Sequence, residues 1–277
     1  MDFVIRTPTL TESSSTISNC SLSELLQNSL TSTPCVNVRK NAKVRVATGM
    51  LVQYLETFTD SVVVRDDTKP VGVIGGREII QGMYKNPSSD FFEMHQVGEI
   101  MDNQLNIITA NTSLNELISL WKKVGRAFAI MDIGNDNYSV ISVKKLLEIG
   151  INSNSKFHIS EIPKKKTITC DKDSAFGEVM KLMLKNRTRK ILLEGTNQFI
   201  NDRIIIEAIE KFDYLLGNDN FLEIPVSVVS LENAKVVLDD SSISDISKIM
   251  YEMSQPLIIY KDRVISPWDV CMALNKN

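Results

Sequence analysis

Short apolar runs alternate along this chain with longer segments whose apolar positions recur every three or four residues. The first kind predicts buried strands and the second predicts amphipathic helices that pack by one face. Asn106-Ile107-Ile108-Thr109 reads as a strand, and Leu114, Leu117, Ile118, Trp121 and Val124 then share one helix face. Two further strands follow at 127–131 and 138–141, and a helix at 144–149 closes the series. The same order returns with Thr167-Ile168-Thr169, a stripe of Phe176, Val179, Met180 and Met183, strands at Ile191-Leu192-Leu193 and Phe199-Ile200, and a helix at 204–212. It returns again with Val236-Val237-Leu238, then Ile243, Ile246, Ile249, Met250 and Met253, then Leu257-Ile258-Ile259 and Val264-Ile265, and a helix from Pro267. A looser first copy holds the strand pair Val62-Val63-Val64 and Val71-Gly72-Val73-Ile74.

Two local signatures keep register with this order. A strand runs straight into a helix in GVIGGREII from Gly72, SVISVKKLL from Ser139, QFINDRIII from Gln198 and RVISPWDVC from Arg263. The junctions at Gly75, Ser142, Asn201 and Ser266 lie 67, 59 and 65 residues apart. An apolar–x–Glu–apolar start recurs at Leu22, Val97, Ile159 and Phe221. Such a double period marks one folding unit used four times. Each unit reads β–α–β–β–α, a small sheet with two helices on one face and nothing on the other. A unit of ~60 residues buries too little surface to stand alone, so the units are expected to pair sheet against sheet. The fold class is α+β, with four repeats in two paired modules. The polar stretch at 150–156 marks the boundary, giving modules at 21–150 and 151–277. The polar segment at 7–18 belongs to a mobile arm spanning 1–20, and 21–30 predicts a short helix with Leu22, Leu25, Leu26 and Leu30 inward.

Composition narrows the chemistry. A net charge of −3 does not suit a general nucleic-acid binder. No apolar stretch approaches the ~20 residues that span a bilayer, and the N-terminus lacks a signal-peptide pattern, so a cytoplasmic protein is expected. Four scattered cysteines form neither a zinc spacing nor a disulfide framework. His95 and His158 are isolated and read as loop residues, so no metal and no histidine relay is expected. With no phosphate loop or nucleophile–base pair visible, no enzyme is expected. The Gly72–Gly75–Gly76 cluster has the wrong spacing for a dinucleotide fingerprint and reads as a tight strand-to-helix turn. The Met180, Met183, Met250 and Met253 stripes sit at core spacing.

These units resemble the cystathionine β-synthase (CBS) domain, pairs of which are called Bateman modules, and the likeness covers nearly the whole chain from about Ser21. The resemblance implies regulatory modules that form a disc and bind adenosine-containing ligands (AMP, ADP, ATP or S-adenosylmethionine) in clefts between paired repeats. Its ribose signature is Gly–apolar–apolar–Ser/Thr–x–x–Asp. The fourth repeat comes nearest, with Ser266 and Asp269. A carboxylate can accept hydrogen bonds from both hydroxyls of a ribose diol. Ser-Pro-x-Asp is also a good helix start, and the two roles are compatible. The first repeat offers Gly75 and Glu78, the second Ser142 with Lys145 in the acid position, and the third Asn201 and Ile204. At most two sites therefore look competent.

The resemblance also implies that the partner repeat completes each cleft. For Asp269 it points to Thr167 and to Arg187, Thr188, Arg189 and Lys190, whose cations suit a di- or triphosphate and equally suit a solvated helix end. For Glu78 it points to Arg126. The run Lys164-Lys165-Lys166 reads as an exposed turn. The expected function is a ligand-sensing regulator that signals to a separate effector protein, with no cofactor other than a regulatory adenine nucleotide and with homodimerisation through the discs open. The alternative is a scaffold whose pockets have degenerated.

Overall fold

A parallel strand pair needs a covered crossover, and in this chain that crossover is a helix in every copy. The computed structural model describes residues 17–53, 61–153, 155–211 and 221–275. The expected arm up to residue 16 lies outside them, while Ile17–Asn19 form a 3-10 turn whose Ile17 packs on the core. Helix α1 (Leu22–Leu26) buries Leu22 and Leu26, and Leu30 is buried after it. The first repeat runs β1 (Asn37–Arg39), α2 (Val44–Gln53), β2 (Ser61–Asp66), β3 (Lys69–Gly75) and α3 (Gly76–Lys85). Two short helices follow, α4 (Ser89–Glu93) and α5 (Val97–Ile100). The second repeat has β4 (Ile107–Ile108), α6 (Leu114–Val124), β5 (Phe128–Gly134), β6 (Asn137–Ser142) and α7 (Val143–Asn152). The third has β7 (Thr169–Cys170), α8 (Phe176–Asn186), β8 (Lys190–Leu193), β9 (Gln198–Asn201) and α9 (Asp202–Lys211). After β10 (Glu232–Asn233), the fourth has β11 (Lys235–Val237), α10 (Ile243–Glu252), β12 (Ile258–Tyr260), β13 (Arg263–Ile265) and α11 (Pro267–Leu274).

In every sheet the first strand pairs in parallel with the second, and the second pairs antiparallel with the third. The junction residues end up at helix starts, with Gly75, Ser142 and Ser266 as N-caps and Asn201 just before α9. Asn201 Oδ1 accepts the Ile204 amide at 2.9 Å, so the third-repeat departure from the acid pattern still caps its helix. Strand β7 begins at Thr169, two residues later than the sequence predicts, which leaves Thr167 in the approach to it.

Four apolar seams join the units. Val63 and Val73 of the first sheet meet Phe128, Ile130 and Val140 of the second. Leu192 and Phe199 of the third meet Leu257 of the fourth. The helices supply the other two seams. One core joins α2 and α3 to α8 and α9, with Met83, Met180, Met183 and the Ile204–Ile205–Ile206 run. The other joins α6 and α7 to α10 and α11, with Trp121, Leu146 and Met250. Helix α9 is apolar on more than one side because its own sheet lies on one face and the first repeat on another. The pairing of modules thus takes place within one chain. Met253, expected in the core stripe, is only half-buried.

Each segment leading into a repeat's first strand also crosses to the partner repeat. Asp102 and Val73 exchange two backbone hydrogen bonds, at 2.9 and 2.8 Å. Pro34 bridges to Ser139, whose hydroxyl donates to the Thr33 carbonyl at 2.8 Å. Strand β10 adds antiparallel to β9. Arg263 donates to the Ser160 and Ile162 carbonyls at 2.6 and 3.0 Å. The first-repeat glycines make the expected tight strand-to-helix turn, with β3 ending at Gly75 and α3 starting at Gly76, and Gly72 and Gly76 also permit close approaches. A Cβ at Gly72 would lie 2.5 Å from Met101 Sδ and 2.9 Å from the Asp102 carbonyl oxygen. A Cβ at Gly76 would lie 2.1 Å from the Asp202 carboxylate on the facing helix α9. No described helix is long and apolar enough to cross a membrane.

Gly76→Ala should destabilise the fold by about 1–3 kcal/mol in urea unfolding despite its better helix propensity, because buried Asp202 must move. Asp202→Ala in the same chain should recover part of that loss, so that the two effects are not additive.

Candidate functional site

The acid-position side chains lie one turn into the helices that follow β3, β6, β9 and β13, and each junction faces the partner repeat. In the first repeat Glu78 is 6% exposed. Its Oε2 accepts the Gly75 amide at 2.9 Å, and its Oε1 accepts from Arg77 Nε at 2.9 Å and from Arg126 Nη2 at 2.6 Å. Arg126 comes from the second repeat, just before β5, and also donates to Ser61 Oγ at 2.8 Å. Its guanidinium lies 3.5 Å from Asp102, which takes a 2.6 Å hydrogen bond from Arg77. The two residues expected at this cleft are therefore brought together, and Arg77 and Asp102 join them. Sequence reasoning missed both, although Asp102 sits on the segment that leads into β4.

In the fourth repeat Ser266 Oγ donates to Asp269 Oδ2 at 2.6 Å, and the Ser266 amide donates to the same oxygen at 2.9 Å. The other oxygen, Oδ1, accepts from Lys165 Nζ, which arrives from the third repeat. Lys164 pairs likewise with Asp262. The lysine run is exposed, as expected, and two of its cations also reach carboxylates of the fourth repeat. Thr167, two residues on, lines an open cleft with Thr169, Leu192, Ile259, Arg263 and Val264 along the seam of the third and fourth sheets.

The basic loop after α8 goes elsewhere. Arg187 is the left-handed C-cap of α8, with φ 50°, the place that Gly125 fills after α6. Thr188 Oγ1 donates to the Lys190 carbonyl at 3.0 Å. Arg189 Nε donates to Asp202 at 2.5 Å, within its own repeat. Lys190 Nζ donates to the Pro256 carbonyl, and Asn201 Nδ2 donates to Gln255 Oε1 at 2.6 Å, so these two do reach the fourth repeat. Arg189 thus bonds to Asp202, and Lys190 reaches Pro256 beside the Asn201–Gln255 contact.

The second-repeat Lys145 is buried. Its ammonium donates to the Ser29 carbonyl, to Ser32 Oγ at 2.8 Å and to Glu148 at 3.3 Å. What replaces the acid there is a cation that grips the segment leading into the first repeat. The buried thiols offer no nucleophile. Burial, with Asp171 adding to it, pushes Cys170 up to about 11, and burial raises Cys271 further, with Asp269 adding.

No family model matches the chain, and no curated protein matches it in sequence. Solved structures do match its shape. A Methanocaldococcus jannaschii protein, described as a proposed archaeal homolog of g-AMPK, aligns over 91% of this chain and 99% of its own, with a TM-score of 0.74 at 16% identity. An uncharacterized conserved protein from Pyrococcus horikoshii aligns over 86% of this chain and 95% of its own, with a TM-score of 0.53 at 13% identity. A Burkholderia ambifaria protein with CBS domains covers 50% of this chain and 98% of its own, at a TM-score of 0.41 and 17% identity. The chain has the CBS fold, in four copies that pair as Bateman modules.

Removing Arg126 leaves Glu78 buried beside one remaining arginine. Arg126→Ala should cost about 3 kcal/mol in urea unfolding. An apolar replacement of the pair, Arg126→Met with Glu78→Leu, should recover most of it.

Proposed function

We propose that this protein is a regulatory sensor of adenosine-containing ligands and that the cleft at Ser266 and Asp269 is its binding site. The carrying observation is the pair itself: a hydroxyl and a carboxylate at the first turn of α11, faced by the approach to β7 from the partner repeat. A ribose diol needs an acceptor of this kind. Support also comes from the four-repeat likeness to the archaeal protein described as a g-AMPK homolog. Thr167 lies along the seam where a base would stack. Arg187, Thr188 and Arg189 serve the neighbouring third-repeat junction in this reading. A ligand that touches two repeats favours one relative orientation of them, and a separate effector protein reads that orientation. The role is regulatory rather than enzymatic, and four free thiols suit a reducing, cytoplasmic setting.

The complete protein partnering of Glu78 favours a second reading, in which the clefts are fasteners of a scaffold. Thermal melting separates the two. AMP, ADP, ATP or S-adenosylmethionine at about 100 times its Kd should stabilise a sensor by about 2.7 kcal/mol, a rise in Tm of roughly 5 °C for a chain of this size. Asp269→Ala should abolish the rise. A Tm indifferent to all four ligands in the parent protein favours the scaffold.

A further inference from the structure

Both even-numbered repeats are strapped by the segment leading into their partner, and the straps differ in one respect. Across the second repeat, Lys145 holds Ser29 and Ser32 with its own side chain 6% exposed. Across the fourth, the charge is on the strap: Lys165 holds Asp269 with a side chain 58% exposed. A buried ammonium with three oxygen partners has no cheap alternative to them. The half-exposed Lys165 can take water in place of its carboxylate at little cost, whereas Asp269, 8% exposed, gives up the ammonium only to another hydrogen-bond donor. The first contact is a rivet and the second is releasable.

We propose that Lys165 is a built-in competitor for the fourth-repeat cleft, displaced from Asp269 by an incoming ribose and then paired with the ligand's phosphate, so that the cleft selects anionic nucleotides over neutral or cationic adenosine compounds. This rests on the nucleotide-sensing reading above. Asp269 Oδ2 is already filled by the Ser266 amide and hydroxyl, so Oδ1 is the oxygen that a diol must win, and Lys165 holds it. The strap stays in place when the ammonium leaves, because Arg263 grips its backbone at Ser160 and Ile162. The freed cation therefore remains beside the cleft. A phosphate on the ligand gives it a new partner, adenosine gives it none, and the sulfonium of S-adenosylmethionine repels it.

Isothermal titration of the full chain with AMP, adenosine and S-adenosylmethionine tests this, comparing the parent with Lys165→Met and with Lys164→Met as a charge-matched control. The parent should bind AMP on the order of tenfold more tightly than the other two, the range of one charge-assisted contact. Lys165→Met should bring the three ligands to within about twofold, with adenosine gaining and AMP losing. Lys164→Met should keep the parental ratio. An AMP-binding protein whose ratio is the same in Lys165→Met, or falls equally in Lys164→Met, overturns the competitor role and leaves the sensor reading standing. Absence of binding by any of the three ligands to parent and variants overturns both.

Discussion

A three-stranded sheet with helices on one face leaves an apolar surface that water must not reach, and every other feature of this chain answers to that constraint. Each copy covers its sheet with the sheet of its neighbour, through Val63, Val73, Ile130 and Val140 in one pair and Leu192, Phe199 and Leu257 in the other. Apolar burial alone fixes no register, since it is non-directional. The crossing lead-in segments supply direction. The Asp102–Val73 pair and the β10–β9 pair extend the partner's sheet by backbone hydrogen bonds, and those bonds also satisfy edge groups that would otherwise face solvent.

The clefts follow from the crossings. Where a lead-in passes over the partner's strand-to-helix junction, polar side chains from both repeats meet in a partly buried place, and each needs a partner. The chain meets that need in a different way at every junction: Glu78 with Arg126, Lys145 with Ser29 and Ser32, Asn201 with Gln255, and Asp269 with Lys165. Three of these contacts are enclosed or neutral, and one joins a buried carboxylate to an exposed cation. The proposed ligand site is the junction at which that exposed cation comes from the partner repeat.

Much of this was legible in the sequence, because the helix and strand periods differ and a repeated junction keeps both in register. The strands around Val63, Ile130, Ile191 and Ile258 and the helix faces at Leu117 and Val179 lie where the pattern puts them. Glu78 and Arg126 meet as the resemblance implies. The lysine run is exposed as its charge predicts, but its pairing across repeats is not legible locally; only the tertiary path of 160–167 sets Lys165 on Asp269. Arg189 pairs with Asp202, a carboxylate outside the motif pattern. The glycine cluster suggests a turn from the local sequence and makes one, but the close approach of a distant backbone at Gly72 and of a distant side chain at Gly76 is not legible there.

Native-state hydrogen exchange tests the exchanged lead-ins most directly. The amides of Asp102, Val73 and Ala234, the last donating to the Asn197 carbonyl at 2.8 Å just after β10, should exchange only with the opening of the sheets they join, with protection comparable to that of the Ile130 amide inside β5. Exchange of Asp102 and Ala234 at the rate of an unstructured peptide, with Ile130 still protected, would contradict it.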